Sequence, residues 1–117
     1  MNDKIKIIFM GTPEFAANVL KFLIKSGRFD ILAVYTNKDQ VRGRGNKTTP
    51  TPVKLVAEEY NIHVETPENI NDSSVVQQIR DYCPQFICVA AYGQILKEEI
   101  LNIPKTCLNV HASLLPK

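Results

Sequence analysis

A chain of 117 residues, 44% hydrophobic and 22% charged, has the length of one domain and the balance of an ordinary soluble globular protein. The formal net charge of +2 is too small to indicate a nucleic-acid partner by itself, so any such role rests on where the charges sit. Three widely spaced cysteines without a C-x-x-C exclude a disulfide framework and a zinc site, and no apolar stretch has the length of a membrane helix or a signal peptide.

The first predicted element is a strand over residues 4–10 (KIKIIFM), ended by Gly11. Thr12-Pro13-Glu14 then opens a helix: Thr can cap free N–H groups, Pro suits the first turn and Glu favours the positive end of the dipole. Phe15, Val19, Phe22 and Leu23, with Ala16 and Leu20 beside them, have helical spacing, and Gly27 terminates the helix. A second strand is predicted over 31–35 (ILAVY). Residues 36–52, with Gly43, Gly45 and two prolines, read as a long polar loop. Pro52-Val53-Lys54 opens a second helix containing Leu55, Val56 and Tyr60, and a short strand follows at 62–64. Asn71-Asp72-Ser73 offers a cap for a third helix with Val75, Val76 and Ile79. Pro84 separates it from a strand at 86–91 (FICVAA), then a break at Tyr92-Gly93, a short helical stretch near 97–101 and a strand at 107–111.

Strands that are apolar nearly throughout and alternate with helices predict an α/β fold: a mostly parallel, Rossmann-like sheet with helices on both faces. Ligands of such sheets sit outside the carboxyl ends of the strands, which directs attention to Gly11-Thr12, Tyr92-Gly93 and residues 109–113. Cys88 and Cys107 read as buried small hydrophobes, and His63 as an ordinary surface or edge residue.

The turn after the first strand lacks the G-x-G-x-x-G of a dinucleotide site, and Glu14 stands where an anion would bind. Asn109 and His111, at i and i+2 on a strand, point the same way. At a strand's carboxyl end they could hold a tetrahedral oxyanion and move a proton, with the nucleophile supplied by the substrate, or simply close the strand with hydrogen bonds. Ser113, Leu114, Leu115 and Pro116 read either as the wall of an apolar pocket or as a turn with core leucines. Ala90, Ala91, Tyr92 and Gly93 either admit a ligand close to the backbone or merely leave the core. Residues 37–54 hold Lys38, Arg42, Arg44, Lys47 and Lys54 against one acid, Asp39, which suits either a phosphate backbone or a solvated loop. No metal site is predicted.

Taken together, IIFMGTPEFA at 7–16, RGRGNK with TPTPVK at 42–54, AAYGQIL at 90–96 and NVHASLLPK at 109–117 resemble the 10-formyltetrahydrofolate-dependent formyltransferase family. The 42–54 segment resembles its tRNA-directed branch rather than its amino-sugar branch. The resemblance implies transfer of a formyl group from 10-formyltetrahydrofolate to the α-amine of initiator methionyl-tRNA. Asn109 and His111 would be catalytic. Ser113, Leu114, Leu115, Pro116, Tyr92 and Gly93 would bind the folate, and Arg42, Arg44 and Lys47 the tRNA. It further implies a cytoplasmic protein, monomeric at full length and without metal. Residues 1–117 would be the amino-terminal part of a catalytic domain, with the sheet incomplete at its carboxyl end and a later aspartate and β-barrel domain absent. Two other readings remain, another folate-dependent formyltransferase and a non-catalytic folate- or RNA-binding module. An imidazole without its carboxylate partner loses orientation and proton affinity. The expected outcome is that these 117 residues alone do not formylate methionyl-tRNA, checked by assaying them beside a full-length homologue; comparable rates would refute it.

Overall fold

The computed structural model describes residues 3–41 and 48–110. Its chain order is β1 (Ile5–Gly11), α1 (Glu14–Ser26), β2 (Phe29–Tyr35), β3 (Gln40–Val41), β4 (Thr48–Thr49), α2 (Pro52–Glu59), β5 (Val64–Glu65), α3 (Ser73–Tyr82), β6 (Phe86–Ala90), α4 (Glu98–Leu101) and β7 (Thr106–Asn109). Five strands form one parallel sheet in the order β5-β2-β1-β6-β7. The chain builds outward from β1 to β2 and β5, then crosses to the other side of β1 for β6 and β7. The order therefore reverses between β1 and β6, and at such a reversal the connections diverge and leave a crevice.

The central position of β1 explains its composition. Ile7, Ile8, Phe9 and Met10 are all essentially buried, because both faces of the strand are covered. Ile8 and Met10 join Ala33, Tyr35, Ile87, Val76 and Ile79 in one core cluster, with α3 and α4 above it. Phe9 joins Val34, Cys88, Ala16, Leu20, Val53 and Ala57 in a second cluster beneath α1 and α2. Alternate strand residues thus feed two separate layers.

Local signals act unevenly. Gly27 ends α1 in the left-handed region at φ +72°, its N–H donating to the Ile24 carbonyl. Thr51 caps α2, its hydroxyl oxygen accepting from Lys54 N–H at 3.1 Å, with Pro52 in the first turn. Thr12 does not cap α1: the N-cap position is Pro13, and the Thr12 hydroxyl is spent elsewhere, as described below. Asp72 occupies the N-cap of α3 without a side-chain capping bond. Phe22 departs from the expected apolar stripe and is 71% exposed. The buried face of α1 is Ala16, Ala17 and Leu20, and Phe22 lies about 200° around the helix from Leu20 at 100° per residue.

The segment expected to be a plain loop contains a two-residue antiparallel ladder, Gln40 opposite Thr49 and Val41 opposite Thr48, too short for any periodic signal. The short strand expected at 62–64 is Val64–Glu65, and that expected at 107–111 is Thr106–Asn109 among the described residues. His63 lies at the β5 edge, half-exposed and paired with Glu65. No helix among the described residues is long and apolar enough to cross a membrane.

Cys88 is buried as expected, but Cys107, on the outermost strand, is only half-buried. Burial pushes the Cys88 thiol up to about 11, with a smaller contribution from Cys107. The folded state holds this thiol neutral. Its contribution to stability is therefore complete below the unfolded thiol range and is lost as pH rises toward 11. The loss should be on the order of 2 kcal/mol. Urea unfolding between pH 8 and pH 11 should show this decline, with a shallower decline in Cys88→Ala; identical slopes would refute the assignment.

Candidate functional site

Thr12 follows β1, Asn37 follows β2 and Tyr92 follows β6, so the fold brings three strand ends to one place. The Tyr92 backbone carbonyl lies at their centre. It accepts from the Thr12 hydroxyl at 2.8 Å and from Asn37 Nδ2 at 2.6 Å. Asn37 Nδ2 also approaches Thr12 Oγ1 at 3.0 Å. Gln94 extends the network: its Nε2 donates to Asn37 Oδ1 at 3.0 Å and to the Pro67 carbonyl at 3.3 Å, and its Oε1 accepts from Ile70 N–H at 2.8 Å. The segment after β5 is thereby tied to the same point.

A second set of bonds anchors α2 to this end of the sheet. Val53 N–H donates to the Thr12 carbonyl at 3.4 Å, and the buried hydroxyls of Thr36 and Thr51 meet at 2.8 Å. These residues account for the three buried polar side chains among the described residues, Thr12, Thr36 and Thr51, and each has a hydrogen-bond partner.

Beside this network a cleft of about 350 Å³ opens, lined by Phe15, Val89, Ala91, Tyr92, Gln94, Asn109 and Val110. Its volume is near the lower bound for small-molecule sites, about 300–1,000 Å³. It lies at the carboxyl ends of β6 and β7, next to the β1–β6 reversal. Asn109 is exposed, ends β7 and pairs in register with Val89; Val110 N–H donates to the Val89 carbonyl at 2.8 Å. The apolar side of the cleft is Phe15, Val89 and Val110, and its amides are Asn109 and Gln94. A larger hollow of about 670 Å³, between the end of α3 and α4, is lined by Arg80, Cys83, Glu98, Glu99 and neighbouring residues, away from the strand carboxyl ends.

Of the residues predicted from sequence, Asn109 and Tyr92 line this cleft together. Tyr92 is buried, and burial pushes its phenol well above the usual range, so the ring enters the core as a neutral group. Gly93 is exposed at φ +95°, and a Cβ there would stand 2.8 Å from Asn37 Nδ2. His111, Ser113, Leu114, Leu115, Pro116, Arg42, Arg44 and Lys47 lie outside the described residues. Among the described residues of the 37–54 segment, both basic side chains have acidic partners: Lys54 reaches Asp39 at 3.0 Å and Lys38 reaches Glu68 at 2.8 Å. The hydrogen bond from Lys38, then its charge, holds the Glu68 carboxyl below its ordinary range. No group of three or more potential metal ligands occurs among the described residues.

Asn37, Gln94, Phe15 and Val89 escaped the sequence reading. Asn37 had a usable signal, since it stands just past the carboxyl end of β2, where the same strand-end rule applies. Gln94 lies in the AAYGQIL motif, but its shorter hydrogen bonds go to residues 24, 27 and 57 positions away, which the motif does not reveal.

Residues 3–117 match the formyl transferase family model. A methionyl-tRNA formyltransferase of Thermotoga maritima is 48% identical over 114 residues, covering 97% of this chain and 36% of that protein. That of Alkaliphilus oremlandii is 51% identical over 114 residues, again 97% of this chain and 36% of the relative. The chain thus spans about a third of the length of the curated relatives it matches. Among solved structures, a phosphoribosylglycinamide formyltransferase from Anaplasma phagocytophilum superposes with a TM-score of 0.61 at 15% identity, covering 92% of this chain and 49% of that one. That likeness is one of fold.

The reversal itself requires glycine at position 11. A Cβ there would meet Ala16 Cβ at 2.6 Å and the Ala90 carbonyl oxygen at 2.7 Å. One of these is backbone of the neighbouring strand, so neither side can yield without moving β1, β6 or α1. Gly11→Ala should destabilise the protein by about 1–3 kcal/mol at unchanged m-value in urea unfolding, and an unchanged midpoint would refute this packing account.

Proposed function

The chain belongs to the formyl transferase family, and we propose that it supplies the formyl-donor side of the active site of a methionyl-tRNA formyltransferase. The observation carrying this reading is Asn109, which opens the NVHASLLP motif and faces a cleft of ligand size beside the sheet's reversal point. The 48–51% identity to methionyl-tRNA formyltransferases supports the choice of acceptor.

In this reading the donor is 10-formyltetrahydrofolate and the acceptor is the α-amine of methionine carried on initiator tRNA. The amine attacks the formyl carbon, the carbonyl π electrons move onto oxygen, and a tetrahedral oxyanion forms. The Asn109 amide donates to that oxygen, where a preorganised donor acts only as charge develops. His111 takes the proton from the attacking nitrogen and returns one to N10 as the C–N10 bond breaks, a task suited to a group that titrates near neutrality. Ser113, Leu114, Leu115 and Pro116, with Tyr92 and Gly93, wall the pterin side. The Tyr92 carbonyl already accepts two bonds and its ring is buried in the core, so Tyr92 contributes the shape of the wall rather than an acceptor. Arg42, Arg44 and Lys47 meet the tRNA backbone, and the protein acts in the cytoplasm as a monomer.

The test is formylation of methionyl-tRNA by the full-length protein and its Asn109→Ala variant. Loss of one oxyanion donor should lower kcat by about 10²-fold or more, with little change in donor KM. Asn109 is exposed, so the melting temperature should hardly move. A wild-type protein that does not formylate methionyl-tRNA overturns the function, and an unchanged kcat in Asn109→Ala overturns the role of Asn109.

A further inference from the structure

The cleft wall from Ala91 to Gln94 is built in an unfavourable backbone. Ala91 sits at φ +52° and Gly93 at φ +95°, two left-handed residues flanking one buried tyrosine. Alanine rarely adopts this region, so neighbouring groups must hold it there. Those neighbours belong to other strands. The Tyr92 carbonyl is gripped by Asn37 Nδ2 and Thr12 Oγ1, and the Asn37 carbonyl oxygen receives Gln94 Nε2 from the far side of the same turn. Asn37 is the group that touches both ends: it donates to residue 92 and accepts from residue 94. Gly93 between them leaves room for the amide, since a Cβ would come within 2.8 Å of Asn37 Nδ2. Asn37 is absent from the residues lining the cleft, whereas Ala91, Tyr92 and Gln94 are among them.

We propose that Asn37 is a positioning residue for the formyl donor: its amide clamps the Ala91–Gln94 turn into the shape that forms the donor-side wall of the cleft. This rests on the function proposed above. The amide suits the task because it donates and accepts at once. A carboxylate of the same shape would set oxygen against oxygen at Tyr92 O, and the single Thr12 hydroxyl proton could serve either the carboxylate or Tyr92 O but not both. A hydroxyl at Thr12 shares the load on Tyr92 alone and cannot reach both ends of the turn.

The experiment compares the full-length wild-type protein with Asn37→Asp and Thr12→Val, measuring kcat, the KM for 10-formyltetrahydrofolate and the KM for methionyl-tRNA. Asn37→Asp should raise the donor KM about tenfold or more, with the acceptor KM within about twofold of wild type. Thr12→Val should raise the donor KM by a smaller factor, about two- to threefold, because Asn37 keeps its hold on Tyr92. A merely structural role would shift both KM values together, and that result overturns the proposal. An unchanged donor KM in folded Asn37→Asp also overturns it. If Asn37→Asp does not fold, Thr12→Val decides: a donor-specific rise supports the clamp, and no rise refutes it. A wild-type protein without formylation activity overturns the function, and the clamp falls with it; an active wild type whose variants keep the donor KM overturns the clamp alone.

Discussion

The Tyr92 carbonyl, accepting at once from Thr12 and Asn37, is the contact on which this end of the molecule depends. A parallel sheet brings its strand ends to one edge but offers no rule for what lies beyond them. Each chain segment leaving a strand carries peptide groups that lose water where the ends crowd together. Here a single carbonyl collects two side-chain donors from two other strand ends, and Gln94 passes the connection on to Pro67 and Ile70. Polar groups removed from water are costly unless paired, so the network can exist only complete.

That network stands where the strand order reverses. On the side of β2 and β5 the segments after the strands are stitched inward by Thr36, Thr51 and Asn37. On the side of β6 and β7 the wall turns outward through Ala91 and Gly93 and leaves the cleft. The two-layered core beneath makes this possible: β1 is buried on both faces, so its end is a fixed point against which both sides are set. Close approach at Gly11 then places Thr12 within reach of Tyr92.

Charge is organised differently from packing. The basic residues between 37 and 54 look like one cluster along the chain. In space, Lys38 and Lys54 are matched by Glu68 and Asp39. The Lys38–Glu68 pair is exposed and of small energetic weight, and the Lys54–Asp39 pair is partly exposed. The proposal for tRNA rests on Arg42, Arg44 and Lys47, whereas Lys38 and Lys54 have acidic partners within the described residues.

The sequence by itself determined the α/β class, the parallel sheet and the strand ends to inspect, because apolar runs, period and glycine punctuation are local quantities with local causes. It also marked Asn109 and Tyr92, which share the cleft, through motifs contiguous in the chain. Side-chain capping was not legible in the sequence: Asp72 makes no side-chain capping bond, and the Thr12 hydroxyl is drawn away by a carbonyl eighty residues distant. The exposure of Phe22, the half-burial of Cys107 on the outermost strand and the pairing of the two lysines likewise followed from neighbours that sequence position does not reveal. Only the tertiary structure decided that Asn37 and Gln94 hold the cleft wall. Their shorter hydrogen bonds go to residues far away along the chain, and a hydrogen bond depends on distance in space, which the fold alone sets.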